Sequence, residues 1–302
     1  MKTRFTGVGT ALITPFTRDG SLDEAAIKRL ARRQVDAGIH FLVPCGTTGE
    51  TPTLSDAERR RVVELVIEAA GGRVPVVAGA GGYDTKDVVR AAREMHAAGA
   101  DGLLSVTPYY NKPTPEGLFQ HFSADADATP LPIILYNVPG RTGCNIDAAT
   151  CARLATIPNV VAVKEASGNI QQMVEICHAV PDDFLVLSGD DALALPLMAV
   201  GGRGIISVAS NEIPAEMVEM VEHADRGDFT AARRVHDRIL PLMLGNFIES
   251  NPGPVKFAMA AMGLCEDVFR LPMVPPRPAS QQRVLAILKE LGLPVSAGAD
   301  AA

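Results

Sequence analysis

A chain of 302 residues with 28 Lys and Arg against 35 Asp and Glu carries a net charge of −7 at neutral pH. That balance disfavours nucleic acid or an anionic membrane as the main partner, since both call for clustered basic charge. With 47% hydrophobic and 21% charged residues, the composition is that of a globular protein, neither disordered nor collagen-like, and the length suits one large domain with room for an appendage.

The opening segment MKTRFTGVGTALITPF lacks a continuous apolar stretch, and no run in the chain approaches 18 uninterrupted apolar residues, so neither a secretion signal nor a membrane span is expected. Short β-rich runs then alternate with segments of helical period. Strands are predicted at 8–13, 40–44, 75–79, 101–106, 132–136, 159–163, 184–187 and 203–208, eight in all. Between them lie helices with recognisable starts: Ser21-x-x-Glu24 and Ser55-x-x-Glu58 read as capping boxes, and Thr114-Pro115 places proline at a first helical position. Near-continuous apolar strands separated by helices indicate a parallel sheet covered on both faces. Eight such units suit a closed (β/α)₈ TIM barrel, with a doubly wound open sheet as the alternative. From about residue 213 the strand signal stops and helical stretches follow at 213–224, 228–246, 254–263 and 280–291, punctuated by NPGP and PMVPPRP. The expected organisation is a catalytic barrel over 1–226 and a C-terminal helical extension over 227–302, with AGADAA a frayed tail.

The cysteines, Cys45, Cys144, Cys151, Cys177 and Cys265, are odd in number, scattered and without a CxxC. They read as reduced, mostly buried thiols of a cytoplasmic protein, not as a disulfide framework or zinc site.

In such a barrel the chemistry belongs at the C-terminal ends of the strands. Lys164 ends the run VVAV, an odd place for an amine. An apolar enclosure disfavours the charged form of an amine, and a neutral amine can attack a ketone to form a Schiff base. Alone, the lysine reads equally as a partner of Glu165 or as a snorkelling rim residue. Other strand ends supply company. Tyr136 offers a hydroxyl able to relay protons, Arg141 in NVPGRTG a planar partner for a carboxylate, and the loop Gly46-Thr47-Thr48-Gly49-Glu50 hydroxyls and N–H groups. Tyr109, Tyr110 and Gly189-Asp190-Asp191 also fall at such ends, so three of the four tyrosines are expected to converge on one mouth. Rival chemistries lack motifs: GAGG at 79–82 does not complete GxGxxG, and GxxxxGK[ST], GxSxG and HExxH are absent. Nor does a Gly-Ser phosphate cup accompany the lysine, as a pyridoxal phosphate enzyme would require. Lys256, the rival nucleophile, reads as a solvated or packing lysine in the first turn of a C-terminal helix, away from any strand end.

GTTGE (46–50), TPYYNKPTPEGLFQHF (107–122), YNVPGRTG (136–143), VKEASGN (163–169), SGDD (188–191) and NPGPVK (251–256) follow one another in order. Together they resemble the dihydrodipicolinate synthase / N-acetylneuraminate lyase family, over about residues 5 to 292. Within it, Thr48 and Arg141 look like the synthases and unlike the sugar-acid lyases. The resemblance implies a TIM barrel and cofactor-free class I aldolase chemistry, in which pyruvate and L-aspartate-4-semialdehyde give 4-hydroxy-tetrahydrodipicolinate. Lys164 would form the imine, and Tyr136, Thr47 and a neighbouring subunit's copy of Tyr110 would relay protons. Thr48 would hold the pyruvate carboxylate and Arg141 that of the semialdehyde, with Gly189 and Ile206 as backbone positions of the pocket. A cytoplasmic homotetramer, built as a dimer of dimers, is likewise implied. Lysine-inhibited members bind the end product through polar or histidine side chains. Their counterparts here are Pro52, Asp56, Arg59 and Tyr83, with Tyr109 and Asp87 still compatible, so feedback inhibition is expected to be weak or absent. A sugar-acid or N-acetylneuraminate aldolase on the same scaffold is the alternative activity.

Overall fold

The structure, a computed structural model, describes residues 5–296; AGADAA lies outside them. Eight strands, β1 (Gly7–Ala11), β2 (Phe41–Val43), β3 (Val77–Gly79), β4 (Gly102–Val106), β5 (Ile133–Asn137), β6 (Val160–Glu165), β7 (Leu185–Ser188) and β8 (Gly204–Ser207), pair in parallel in the order β2-β1-β8-β7-β6-β5-β4-β3. The two ends of that order meet through a parallel bridge between Leu42 and Val76. Leu42 N–H donates to the Pro75 carbonyl at 2.9 Å, and Gly79 N–H to that of Pro44 at 3.0 Å. The sheet therefore closes into a barrel without an unpaired edge, and the open-sheet alternative is excluded.

Helices α1 (Glu24–Asp36), α2 (Asp56–Ala70), α3 (Thr85–Ala97), α4 (Pro115–Asp127), α5 (Pro139–Thr142), α6 (Ala148–Leu154), α7 (Ile170–Ala179), α8 (Ala194–Ala199) and α9 (Pro214–Asp225) fall between or after the strands. They are followed by α10 (Phe229–Gly245), α11 (Gly253–Ala261) and α12 (Pro278–Glu290). The Ser55 capping box forms with both of its bonds, and Thr114 caps α4 with Pro115 in its first turn. The Ser21–Glu24 box does not form. Ser21 is tied instead into a turn, its N–H on Asp19 Oδ1 and its carbonyl accepting from Thr17 N–H, while Asp23 caps α1 by accepting from Ala26 N–H at 2.9 Å. Aspartate and serine cap equally well, so the residue left free at the right place wins.

Strand limits shift from expectation by at most two residues, and β6 shows why. Lys164 pairs with Tyr136 and Leu187, and Glu165 with Asn137 and Ser188, so the ladder continues through the lysine instead of stopping at Val163. By the same pairing β5 runs past Tyr136 to Asn137. Side chains alternate across this sheet. One set, including Phe41, Val43, Ile134, Ala162, Leu187 and Ile206, fills the barrel interior, and the other packs under the helices.

All five cysteines are free, three buried and two half-buried. Burial pushes the thiols of Cys45 and Cys265 up to about 12 and that of Cys177 to about 11, leaving little reactive thiolate at neutral pH. Among the described residues no helix is long and apolar enough to cross a membrane.

A buried carboxyl sits between β4 and α4. Asp125 accepts from Ser105 Oγ at 2.7 Å through Oδ2, its Oδ1 has no partner, and burial pushes it up to about 6. Because its folded value lies above the ordinary 3.8, the stability it contributes is complete below about pH 4 and is lost as the pH rises through about 6. Asp125→Asn, which keeps an acceptor for Ser105, is expected to raise stability at pH 8 by on the order of 1–3 kcal/mol and to flatten the profile between about pH 4 and 6. Urea denaturation at a series of pH values measures both.

Candidate active site

The two-residue period of β6 puts Ala162 and Lys164 inside the barrel and turns Glu165 outward. There Glu165 accepts from Asn137 Nδ2 at 2.7 Å and Ser167 N–H at 2.8 Å. Glu165 is thus spoken for and is not the partner of Lys164. Lys164 is 4% exposed, and its Nζ stands 4.3 Å over the ring of Tyr136, the residue beside it in register. Among the described residues no hydrogen bond or ion pair reaches that nitrogen. An amine so placed in an apolar interior costs stability, and a cost that no partner offsets points to a functional role.

A cavity of about 440 Å³ opens at this end of the barrel, lined by Thr47, Tyr136 and Arg141 together with Cys45, Gly46, Leu104 and Val138. The other candidates stand behind or beside it. Lys164 is not in the lining, and its amine stands over the ring of Tyr136, which is. Thr48, within the loop after β2, is buried and accepts from Asn251 Nδ2 at 3.0 Å. Ile206 packs in the interior with Tyr136 and Leu187. Gly189 follows β7, where a Cβ would come within 2.7 Å of Ala166 Cβ and 3.0 Å of Lys164 Cε. Glycine is what leaves room for the lysine stem, and Gly189→Ala is expected to lower kcat by at least about tenfold, on the scale by which small misplacements of reacting groups cost rate. Steady-state kinetics beside an unchanged circular dichroism spectrum reads this out.

Not all the tyrosines converge. Tyr109 and Tyr136 line the cavity, whereas Tyr110 is 92% exposed and lies outside it, with a left-handed φ of 70°. Tyr83, which carried no mouth role in the sequence reading, takes a place in the wall and meets Tyr109 edge to face at 5.0 Å. Thr47 and Tyr136 share the cavity, with no hydrogen bond between them.

The GTTG turn is held under strain. Cys45 before it and Glu50 after it both have left-handed backbones, φ 59° and 52°, which non-glycine residues adopt at a cost. Glu50 is held there by Lys256, whose Nζ lies 2.5 Å from Glu50 Oε1, and by Arg270 N–H at 3.2 Å on Oε2. Lys256 is fully buried, its amine also 4.1 Å over the Phe16 ring. Burial lowers its basicity and the Glu50 carboxylate opposes that. So Lys256 is not a solvated lysine remote from the strand ends: it packs, and it reaches the loop after β2. Arg141, on α5, donates through Nη2 to the Asn251 carbonyl at 3.2 Å. Asn251, unmarked in the sequence reading, therefore meets both Thr48 and Arg141. The one signal for it was the NPGPVK motif, which gives no hint of the residues it reaches.

A second buried carboxyl joins two of the loops that follow the strands. Asp191 accepts from Ser207 Oγ at 2.5 Å and from the N–H groups of Val208 and Ala209, tying the loop after β7 to that after β8, and burial pushes it up to about 6.

Fold and site define a (β/α)₈ enzyme whose central group is an unpaired amine beside a tyrosine. The sequence pattern of the Dihydrodipicolinate synthetase family matches residues 4–291. The 4-hydroxy-tetrahydrodipicolinate synthase of Koribacter versatilis is 54% identical over 288 residues, covering 95% of this chain and 96% of that protein. The crystal structure of dihydrodipicolinate synthase from Aquifex aeolicus superposes with a TM-score of 0.95 at 43% identity, over 97% of this chain and 100% of the other. That of the chloride-inhibited dihydrodipicolinate synthase from Acinetobacter baumannii in complex with pyruvate gives 0.94 at 40%, over 95% and 99%. The chain belongs to the dihydrodipicolinate synthetase family.

Proposed function

We propose that this chain condenses pyruvate with L-aspartate-4-semialdehyde through a Schiff base on Lys164, yielding 4-hydroxy-tetrahydrodipicolinate. The observation that carries the reading is the unpaired amine of Lys164, 4% exposed and 4.3 Å over the Tyr136 ring. The amine attacks the keto carbon of pyruvate, and the carbinolamine expels water to leave an imine. Loss of a methyl proton then gives an enamine, the imine nitrogen acting as electron sink. The enamine adds to the aldehyde carbon, and the amino group of the second substrate displaces Lys164 as the ring closes. The hydroxyl of Tyr136 serves the proton transfers, with Thr47 sharing its cavity. Thr48 takes the pyruvate carboxylate and Arg141 that of the semialdehyde, while the backbone at Gly189 and Ile206 shapes the pocket.

Tyr110 is the third member of the relay, supplied to a neighbouring subunit. Its exposure of 92% and strained φ of 70° support a side chain held out for another copy to use. The assembly is a homotetramer formed as a dimer of dimers, and the enzyme is cytoplasmic. Residues 1–226 serve as catalytic barrel, and 227–302 as a helical extension bracing its mouth.

L-lysine is expected to inhibit weakly or not at all. The carboxylates available to bind its ammonium groups, Asp56 and Asp87, are already engaged by Arg90, at 2.6 and 3.3 Å. An inhibition constant well below millimolar would refute this.

The test of function is a comparison of turnover: pyruvate with aspartate semialdehyde against cleavage of N-acetylneuraminate and 2-keto-3-deoxygluconate. Condensation faster by orders of magnitude supports the reading. Faster cleavage of either sugar acid replaces it with a lyase.

A further inference from the structure

Thr48 and Arg141 come from two separate loops, after β2 and after β5, and one residue touches both. Asn251 is 5% exposed and lies in the connection between α10 and α11. Its backbone carbonyl accepts from Arg141 Nη2 at 3.2 Å, and its Nδ2 donates to Thr48 Oγ1 at 3.0 Å. Its Oδ1 is buried without a partner.

The direction of the second bond decides what Thr48 can do. A hydroxyl has one proton and two acceptor lone pairs. With a lone pair taken by the Asn251 amide, and no acceptor for its proton among the described residues, Thr48 Oγ1 is set up as a donor. That is the form a carboxylate ligand requires. Were the partner an acceptor, it would draw the same proton inward and leave only lone pairs to face the ligand. The contact to Arg141 uses the backbone and survives any change of side chain, so the two halves of the bridge can be separated by mutation.

We propose that Asn251 is a positioning residue for the reaction: its side-chain amide holds Thr48 as a hydroxyl donor to the keto-acid carboxylate, and its backbone carbonyl holds Arg141, so one residue sets the spacing of the two carboxylate contacts. This rests on the function proposed above.

Kinetics of Asn251→Ala, Asn251→Asp, Thr48→Val and the double variant Asn251→Ala/Thr48→Val test it, with the semialdehyde as second substrate. Asn251→Ala raises the KM for pyruvate about tenfold, the scale of one hydrogen bond to a charged group, while kcat and the KM for the semialdehyde stay within about threefold. Asn251→Asp, which is isosteric yet replaces the donor by an acceptor, raises the pyruvate KM at least as far. The double variant is no worse than Thr48→Val alone, because both changes remove the same contact. The proposal is overturned if Asn251→Asp retains the wild-type KM, if the double variant shows additive losses, or if the loss falls on kcat alone alongside a lowered melting temperature. Should Asn251→Ala fail to fold, the KM of Asn251→Asp decides by itself. Borohydride trapping of the wild type with pyruvate keeps the two readings apart. No adduct on Lys164 removes the proposed function and this role with it, whereas an adduct combined with an unmoved KM in Asn251→Ala removes this role alone.

Discussion

Lys164→Ala is expected to lower kcat/KM by at least about 10⁴-fold, the scale on which loss of a covalent nucleophile is felt in enzymes that act through one. Without the amine no imine can form, and neither Tyr136 nor Thr47 can substitute as an electron sink. Stability is expected to move the other way. The Lys164 amine has no ion-pair partner and is almost fully buried beside Leu187 and Tyr136, so its removal relieves desolvation that nothing offsets. Lys164→Met, which refills the space with an apolar chain, is the better form of that test and is expected to melt no lower than the wild type. The chemical signature is a covalent one. Borohydride added with pyruvate leaves one reduced pyruvyl group on the wild type, mapped by peptide mass analysis to Lys164, and none on either variant. An adduct found on Lys256 instead, or turnover that persists in Lys164→Met, would end the Schiff-base account.

How much of this was legible beforehand follows from the range of the interactions involved. The eight strands could be read because parallel strands buried on both faces become short apolar runs, and Lys164 could be read as the anomaly within one of them. Their limits could not. Whether β6 stops at Val163 or runs on to Glu165 is decided by pairing with β5 and β7, not by anything local. The Ser21 cap failed for a related reason, since a competing turn from Thr17 to Ser21 takes its backbone. The site divides in the same way. Thr47, Tyr136, Arg141 and Lys164 sit at strand ends, where topology alone predicts convergence. Asn251 and Lys256 act across 203 and 206 residues of sequence, and no periodicity reports such contacts. Position after β4 alone puts Tyr110 at its own mouth, the family resemblance assigns it to a neighbouring subunit, and its exposure shows that it leaves its own cavity.

The long-range pair also supplies the largest stability effect to be expected. Lys256 and Glu50 are each fully buried at the side chain, 2.5 Å apart. Breaking a buried pair by removing one partner strands the other charge in a medium that does not solvate it, at a cost of about 3–5 kcal/mol. Lys256→Met and Glu50→Gln are each expected to lose about that much in urea denaturation. The two losses will not be equal. Glu50→Gln keeps an acceptor for Arg270 N–H and strands an amine that still faces the rings of Phe16 and Phe269, 4.1 and 5.1 Å away. Lys256→Met instead leaves a carboxylate with one backbone donor, and the larger loss is expected there. The double variant Lys256→Met/Glu50→Gln is expected to recover part of either single loss, since no unpaired charge remains. Function adds an independent readout. Glu50 closes the turn that carries Thr47 and Thr48, and its left-handed backbone is held from the C-terminal helices. The double variant, even where it folds well, is therefore expected to bind pyruvate less tightly than the wild type. Single variants that each lose less than about 1 kcal/mol would show that the pair sits in a better-solvated place than its burial indicates.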